Sequence, residues 1–165
     1  DNALTRLLFL EIGAMADHPS DKNSSSFELA DREIRAWLTK RSINVEGLVL
    51  DNGSGLSRTE RVTSRQMVSM LIKLSQEHRY HDLMMSLPVA GEDDTLKRRY
   101  IGSLANGSAR LKTGSLWNVS AIAGVVYDRK QRPWMVSVMV NHPKASAAAP
   151  LITEIVDTIA SYNLD

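Results

Sequence analysis

The sequence predicts an α+β fold in which an antiparallel sheet of about three strands packs with helices. Apolar residues recur at helical spacing in three segments before residue 80, and three β-rich runs follow between residues 109 and 140. The last segment is again amphipathic. The 165 residues suffice for one domain with its own core, and no repeat or linker marks a second one. We therefore assign residues 1–165 to a single domain.

Composition narrows the classes of function. Hydrophobic residues make up 43% and charged residues 24% of the chain, as in ordinary globular proteins. The chain has twenty basic and nineteen acidic residues, a net charge of +1. This charge gives no argument for binding to nucleic acid or to an anionic membrane. The absence of cysteine excludes disulfides, thiolate metal sites and a cysteine nucleophile. We expect neither a metal nor a cofactor.

Two helices are predicted at the start of the chain. Residues 2–16 are predicted to form the first helix. Its apolar residues cover so much of the helix surface that we expect the helix to be buried on most sides. After a polar loop at residues 17–24, Ser25 and Glu28 have the spacing of a capping box at the start of the second helix.

Residues 47–58 combine a short apolar strand with a glycine-containing turn. Asn52 and Gly53 are expected to supply the positive φ angles of a tight turn. We favour a structural turn over a direct catalytic role for Asp51 or Ser54. The order Gly-Ser-Gly is not the G-x-S-x-G nucleophile elbow.

The third helix has the clearest signals. Thr63 and Gln66 form a capping box. The apolar stripe that follows is interpreted as core filler and consists of Met67, Met70, Leu71 and Leu74. His78 and His81 lie three residues apart but lack a third ligand at suitable spacing, so no metal site is assigned. His18 is interpreted as a solvated loop residue.

Residues 82–108 are irregular, with one short helix predicted to begin at Asp93 or Asp94. Carboxylates at these positions favour a helix N-terminus. The basic triplet at residues 97–99 is interpreted as the solvated face of that helix.

Three strands are predicted at about residues 109–114, 119–128 and 134–140, in an antiparallel meander joined by polar loops. The middle run is apolar almost throughout, as expected for a strand covered on both faces. The third run is strongly apolar, with Ser137 its only polar interior residue. Residues 147–162 predict a closing helix, with Pro150 in its first turn.

The first of these strands carries the residues of chemical interest. Lys112, Thr113, Gly114 and Ser115 place a cation, two hydroxyls and a flexible backbone side by side. Such a strand can receive a carboxylate and a peptide. Lys-Thr-Gly is also one of the motifs of penicillin-binding proteins and β-lactamases.

The chain as a whole resembles the D-alanyl-D-alanine carboxypeptidase/endopeptidase family of class C low-molecular-mass penicillin-binding proteins. Four segments carry the resemblance, in the order of that family and over nearly the whole chain: residues 51–58, 86–91 with Thr95-Leu96, 111–116 and 119–124. The resemblance implies a partial serine β-lactamase/penicillin-binding-protein fold, namely the C-terminal part of the transpeptidase-like domain.

Two motifs of that family are missing or cut. No serine is followed three residues later by lysine, as the nucleophile motif requires, and Ser20 and Lys22 are only two apart. Asp1 and Asn2 resemble the last two residues of the Ser-x-Asn motif. Because they lead directly into helical sequence, we expect a processed product or an excised piece. Smaller departures are Asn52 in the turn, Asp94 in place of glycine and Ser115 in place of threonine.

The resemblance also implies roles for residues. A serine outside this chain would attack the carbonyl of the penultimate D-Ala, giving an acyl-enzyme that water hydrolyses. Lys112 would supply charge near the substrate's terminal carboxylate and relay a proton to the leaving amine. Thr113 and Ser115 would bind that carboxylate, and Gly114 would leave room for the peptide. The Ser115 backbone N–H would be an oxyanion donor, and Asn2 would contact the substrate's peptide amide.

We therefore expect a C-terminal fragment of a serine-type D-Ala-D-Ala carboxypeptidase/endopeptidase of the bacterial periplasm or cell-envelope exterior, inactive by itself. The expected partners are peptidoglycan stem peptides, the missing N-terminal half and, in the intact enzyme, β-lactams. The resemblance implies N-terminal strands, missing from these residues, that would flank strand 134–140. Without them this apolar strand would present an open edge, so self-association through it is a further expectation. The alternatives are a non-catalytic module that binds peptidoglycan peptides or a protein, and a β-lactamase or esterase of the same superfold.

Overall fold

The computed structural model of the chain describes residues 1–16 and 23–163, without the side chain of Asp94. His18, Ser20 and Lys22, which entered the sequence analysis, lie outside the described residues. The chain divides into two compact units, residues 1–66 and 67–165. The boundary falls within the third helix.

The first unit begins with helices α1 (Asn2–Ala14) and α2 (Ser26–Lys40). The capping box of α2 is confirmed, because Ser25 N donates to Glu28 Oε2 at 2.8 Å and Glu28 N donates to Ser25 Oγ at 3.3 Å. Phe9 of α1 and Phe27 of α2 pack with ring centroids 5.6 Å apart.

The expectation that α1 is buried on most sides is wrong. Leu4, Leu7 and Leu8 are each more than half exposed. The helix approaches α2 along a narrow face, where a Cβ on Gly13 would collide with the backbone of Ser26. Only Phe9 and Gly13 of α1 are buried. Within the part of the chain that the structure describes, no segment buries Leu4, Leu7 or Leu8.

The turn at residues 51–58 is shaped by its glycines. Gly53 and Gly55 have φ angles of +68° and +72°, whereas Asn52, against expectation, has no positive φ. Gly53 is also required sterically, because a Cβ there would lie 2.4 Å from Phe9 Cβ. The short strand expected near residue 48 is reduced to a single bridge between Val49 and Arg61.

Helix α3 (Ser64–Leu74) has the expected capping box, in which Thr63 N donates to Gln66 Oε1 at 2.8 Å and Gln66 N donates to Thr63 Oγ1 at 3.1 Å. Helix α4 (Tyr80–Ser86) follows. No helix in the described part of the chain has the length and apolarity needed to cross a bilayer.

The irregular region contains the short helix expected there, as a 3-10 turn at Asp94–Leu96 that continues into α5 (Lys97–Tyr100). Its basic triplet is not all solvated, however. Lys97 and Arg98 are exposed, but Arg99 donates from Nε to Thr153 Oγ1 and from Nη2 to Ala149 O, both at 2.6 Å. Arg99 therefore ties α5 to the closing helix.

The sheet confirms the predicted meander. Strands β1 (Ala109–Leu116), β2 (Val119–Tyr127) and β3 (Pro133–Asn141) are antiparallel in the order β1-β2-β3. One face packs on α6 (Ala149–Ala160), which has Pro150 in its first turn as expected. The fully buried residues of that core include Leu96, Tyr100, Leu111, Ile122, Ile152 and Val156.

The expectation that the middle strand is covered on both faces holds for one face only. Ser120, Ile122, Gly124 and Val126 of β2 are buried, whereas most residues between them are half-buried. The opposite face borders a cavity, described below.

Candidate functional site

The predicted motif lies on an outer strand of the sheet. Lys112, Thr113, Gly114 and Ser115 belong to β1, which pairs within the sheet only with β2. Thr113 is half-buried and the other three residues are exposed. The motif is therefore accessible from the side of the sheet.

The backbone of β1 is covered along only part of its outer edge. Leu111 N donates to Pro88 O at 2.9 Å, and Ala90 N donates to Ala109 O at 2.9 Å. Because backbone groups of successive strand residues point alternately to the two sides, the N–H and C=O groups of Thr113 and Ser115 also point outward. No described residue is bonded to the outward N–H of Ser115. The edge is thus open where the motif lies.

Lys112 and Thr113 approach this open edge from opposite faces of the sheet. Lys112 Nζ donates to Thr113 O at 2.8 Å, which holds the ammonium group over the edge. An ammonium group has three hydrogens, so two remain for another acceptor. A carboxylate at the edge would meet the cation from one face and the hydroxyl from the other.

A second hydroxyl supports Thr113. Thr95 Oγ1 lies 3.0 Å from Thr113 Oγ1, within hydrogen-bonding distance. Thr95-Leu96 belongs to the segments that carry the family resemblance, but the resemblance implies no contact for Thr95. Its position 18 residues before Thr113 gives no local signal of the pairing.

Gly114 leaves space on the face of β1 that also carries Lys112, opposite to the face of Thr113. A Cβ on Gly114 would meet only Ala121 Cβ, at an ordinary distance of 3.9 Å. A cavity of about 330 Å³ adjoins this face, and α3 and α4 line its other side. Its lining includes Met67, Met70, Leu71, Leu83, Lys112 and Met139. The apolar stripe of α3, predicted to be core filler, therefore lines a cavity, with only Leu71 buried.

Asn2, the remaining predicted site residue, lies in the first unit, at the start of α1. It is exposed, and its Nδ2 donates to Ser54 O at 2.5 Å. Ser54 in turn accepts from Leu56 N through its hydroxyl, as in a structural turn. The predicted contact of Asn2 with substrate stays a prediction.

Within residues 1–16 and 23–163, no group of three or more histidine, aspartate or glutamate side chains is placed to hold a metal ion. What β1 offers is an organic cation, hydroxyls and backbone groups, a set suited to an anionic peptide end.

Asp128, directly after β2, is a buried charge that sequence reasoning missed. Its carboxylate accepts from Trp134 Nε1, from Arg132 N and Nε, and from Lys130 N, at 2.7–3.0 Å. Burial raises the pKa of Asp128, but these hydrogen bonds outweigh it and hold the pKa well below its usual value. The group closes the β2–β3 hairpin. An aspartate that ends a strand before a polar turn was the available signal.

Comparison with known proteins identifies the family of the chain. A model of the D-Ala-D-Ala carboxypeptidase 3 (S13) family matches residues 1–162. A D-alanyl-D-alanine carboxypeptidase from Actinomadura sp. is 39% identical over 94 residues, which cover 54% of this chain and 18% of that protein. Carboxypeptidase DacB of Mycolicibacterium smegmatis is 29% identical over 168 residues, which cover 98% of this chain and 34% of that protein.

Among solved structures, penicillin-binding protein 4 (dacB) from Haemophilus influenzae, complexed with a β-lactam, matches with a TM-score of 0.80 and 24% identity. The match covers 98% of this chain and 39% of that one, and it shows a common fold. This chain therefore spans about a third or less of the two curated relatives. The α+β fold and the resemblance inferred from the sequence are both confirmed, and the chain belongs to the D-Ala-D-Ala carboxypeptidase 3 (S13) family.

Proposed function

We propose that β1 forms one wall of the substrate site of a serine-type D-Ala-D-Ala carboxypeptidase that acts on peptidoglycan stem peptides. The observation that carries this proposal is the open edge beyond Leu111, where outward backbone groups stand beside Lys112 and Thr113. The nucleophilic serine and its lysine would belong to a part of the protein outside these 165 residues, because no Ser-x-x-Lys occurs among them.

The C-terminal carboxylate of the stem peptide would lie between Lys112 Nζ and the hydroxyls of Thr113 and Ser115. A hydrogen bond between the Lys112 ammonium group and the carboxylate would contribute about 1.5–3 kcal/mol, so the contact with Lys112 would dominate recognition. Gly114 adds no side chain, so the peptide can lie along the strand. The chemistry selects a free carboxylate over an internal peptide bond.

The Ser115 N–H would stabilise the oxyanion that forms when the serine attacks the peptide carbonyl. It points outward and is not bonded to any described residue, as an oxyanion donor requires. The hydrolytic step would then release the acyl group to water. Lys112 would assist by passing a proton toward the leaving amine, and Asn2 would hold the peptide amide of the substrate.

This proposal implies two partners and a location. The remainder of the protein would complete the active site, and peptidoglycan would be encountered in the periplasm or on the exterior of the cell envelope. β-Lactams would acylate the completed site, as the β-lactam complex of the H. influenzae protein suggests by analogy.

Labelling with a fluorescent penicillin tests the proposal. The purified chain is incubated alone, and then with the polypeptide encoded upstream of Asp1, and covalent adducts are read by gel fluorescence. We expect no adduct on the isolated chain and an adduct on the upstream polypeptide when both are present. Lys112→Ala should slow acylation about 10- to 150-fold, as loss of a charged contact predicts.

Lys144→Ala is the matched control, since it removes an exposed lysine outside β1. Labelling of the isolated chain would contradict a nucleophile outside it. Absence of labelling in the mixture, combined with saturable binding of a D-Ala-D-Ala peptide in calorimetry, would favour the non-catalytic binding module. Rapid loss of the adduct by hydrolysis would instead favour a β-lactamase.

A further inference from the structure

The hydroxyl pair of Thr95 and Thr113 sets a constraint on how Thr113 can serve a ligand. The two Oγ1 atoms are 3.0 Å apart, and either can be the donor. A hydroxyl has one hydrogen, so Thr113 cannot donate to Thr95 and to a ligand at the same time. The direction of this bond therefore decides what Thr113 offers at the open edge.

The backbone around Thr95 is anchored to the core and to β1. The next residue, Leu96, is fully buried in the core. The turn before it is closed by Asp93, which accepts from Val89 N at 2.9 Å through its side chain and from Leu96 N at 3.1 Å through its carbonyl. Val89 also forms a bridge to Arg110 of β1. The segment that carries Thr95 is thus fastened to the strand it contacts.

We propose that Thr95 is a positioning residue that donates to Thr113 and so turns the hydrogen of Thr113 toward the ligand. A carboxylate can only accept hydrogen bonds. When one binds at the edge, Thr113 must give it its single hydrogen, and Thr95 must then be the donor to Thr113. Thr95 thereby favours a ligand that accepts a hydrogen bond at the edge, and a carboxylate gains most because bonds to a charged acceptor are stronger.

This inference rests on the proposed function and predicts a loss specific to charge. Thr95→Val keeps the shape of the side chain but removes the donor. We expect acylation by a penicillin with a free carboxylate to slow about 3- to 10-fold, as loss of one hydrogen bond predicts. Acylation by the methyl ester of the same penicillin should change by less than about twofold, because the ester presents no charge for an oriented hydroxyl to meet.

The experiment uses the chain combined with its upstream polypeptide and follows acylation rates for the acid and the ester. Thr95→Ser should restore the wild-type ratio of the two rates, because it keeps the donor. In a Thr113→Val background, Thr95→Val should have no further effect, since it acts through Thr113. Thr158→Val, which removes an exposed hydroxyl on α6, serves as the matched control.

An equal loss for acid and ester, or a failure of Thr95→Ser to restore the ratio, would overturn the inference and leave Thr95 a structural residue. If the wild-type mixture is not acylated at all, the proposed function fails. If the wild-type mixture is acylated and Thr95→Val reacts at the same rate, the proposed function stands and only the inference about Thr95 fails.

Discussion

The sheet ends in two edges, β1 and β3, that differ in cover and in chemistry. On β1, the segment at residues 88–90 covers the first part of the edge and leaves only the motif open. On β3, Asp128 N donates to Arg132 O and His142 N donates to Asn118 O, so the backbone N–H and C=O groups of the even-numbered residues point toward β2. The backbone groups of Met135, Ser137 and Met139 therefore point away from the sheet. No described segment pairs with them.

The two edges are open in different ways, and each is suited to a different kind of ligand. The short gap on β1 is flanked by a cation, hydroxyls and a glycine, which suits a short polar peptide. The edge of β3 is open along its length and its strand is apolar, which suits another strand. The same backbone geometry thus predicts a substrate site at one edge and a protein contact at the other.

The largest expected effect comes from the residue that lets β1 and β2 lie together. A Cβ on Gly124, at φ +150°, would lie 2.1 Å from Arg110 O. Gly124→Ala should therefore destabilise the chain by about 3–5 kcal/mol or prevent folding, as measured by urea unfolding. Gly114→Ala is the matched control, since its Cβ would meet nothing closer than 3.9 Å. Equal stability of the two variants would contradict the close approach of β1 to β2.

A proline substitution can selectively block the pairing of another strand with the edge of β3. We propose that the isolated chain self-associates through this edge. The N–H of Ser137 points outward, so Ser137→Pro removes a donor from the edge without removing a bond to β2. Its hydroxyl is buried without a partner among the described residues, so its loss removes no bond. We expect a monomer by sedimentation velocity, whereas the wild-type chain forms larger species.

Val138→Pro is the matched variant, because the N–H of Val138 points toward β2. It should lower the unfolding free energy by about 3 kcal/mol or more. Self-association that survives Ser137→Pro in a folded chain would place the contact on another surface.

The hairpin that carries β3 should depend on pH through Asp128. Because its pKa in the folded chain lies below the ordinary value of 3.8, its stabilisation is fully present above that value and is lost as the pH falls below it. Asp128→Asn places an amide N–H₂ among donors and should lower Tm by several degrees at pH 7. The difference from wild type should narrow at pH 3, as thermal scans at both pH values will show.

Asp82→Asn gives the matched control, since Asp82 is exposed on α4. A pH-independent difference between the wild type and Asp128→Asn would mean that the carboxylate charge does not hold the hairpin.

Local signals in the sequence were enough to predict most elements of the fold. The capping pairs at Ser25 and Thr63, the meander and the first-turn Pro150 all depend on residues close together in the chain. The burial of α1 could not be predicted in this way. It depends on which helix face meets a neighbour, and hydrophobicity alone does not specify that face.

In the candidate site too, local features could be predicted from the sequence and contacts between distant residues could not. Lys112 to Ser115 form a contiguous motif, so they could be found from the sequence alone. Thr95 could not be paired with Thr113, nor Arg99 with Thr153, because each contact joins distant parts of the chain. The burial of Asp128 could not be predicted either, because it depends on the side chains of Trp134 and Arg132, which donate to its carboxylate.

The smallest expected effect sharpens the role of the β1 edge. Ser115 is exposed and stands where the resembled family more often has threonine. Ser115→Thr keeps the hydroxyl and suits a strand, so acylation of the completed protein by a penicillin should change by less than about twofold. Ser115→Ala keeps the backbone N–H but removes the hydroxyl, and should slow acylation about 3- to 10-fold. If both variants acylate at the wild-type rate, only the backbone of Ser115 serves the ligand, and recognition of the carboxylate falls to Lys112 and Thr113.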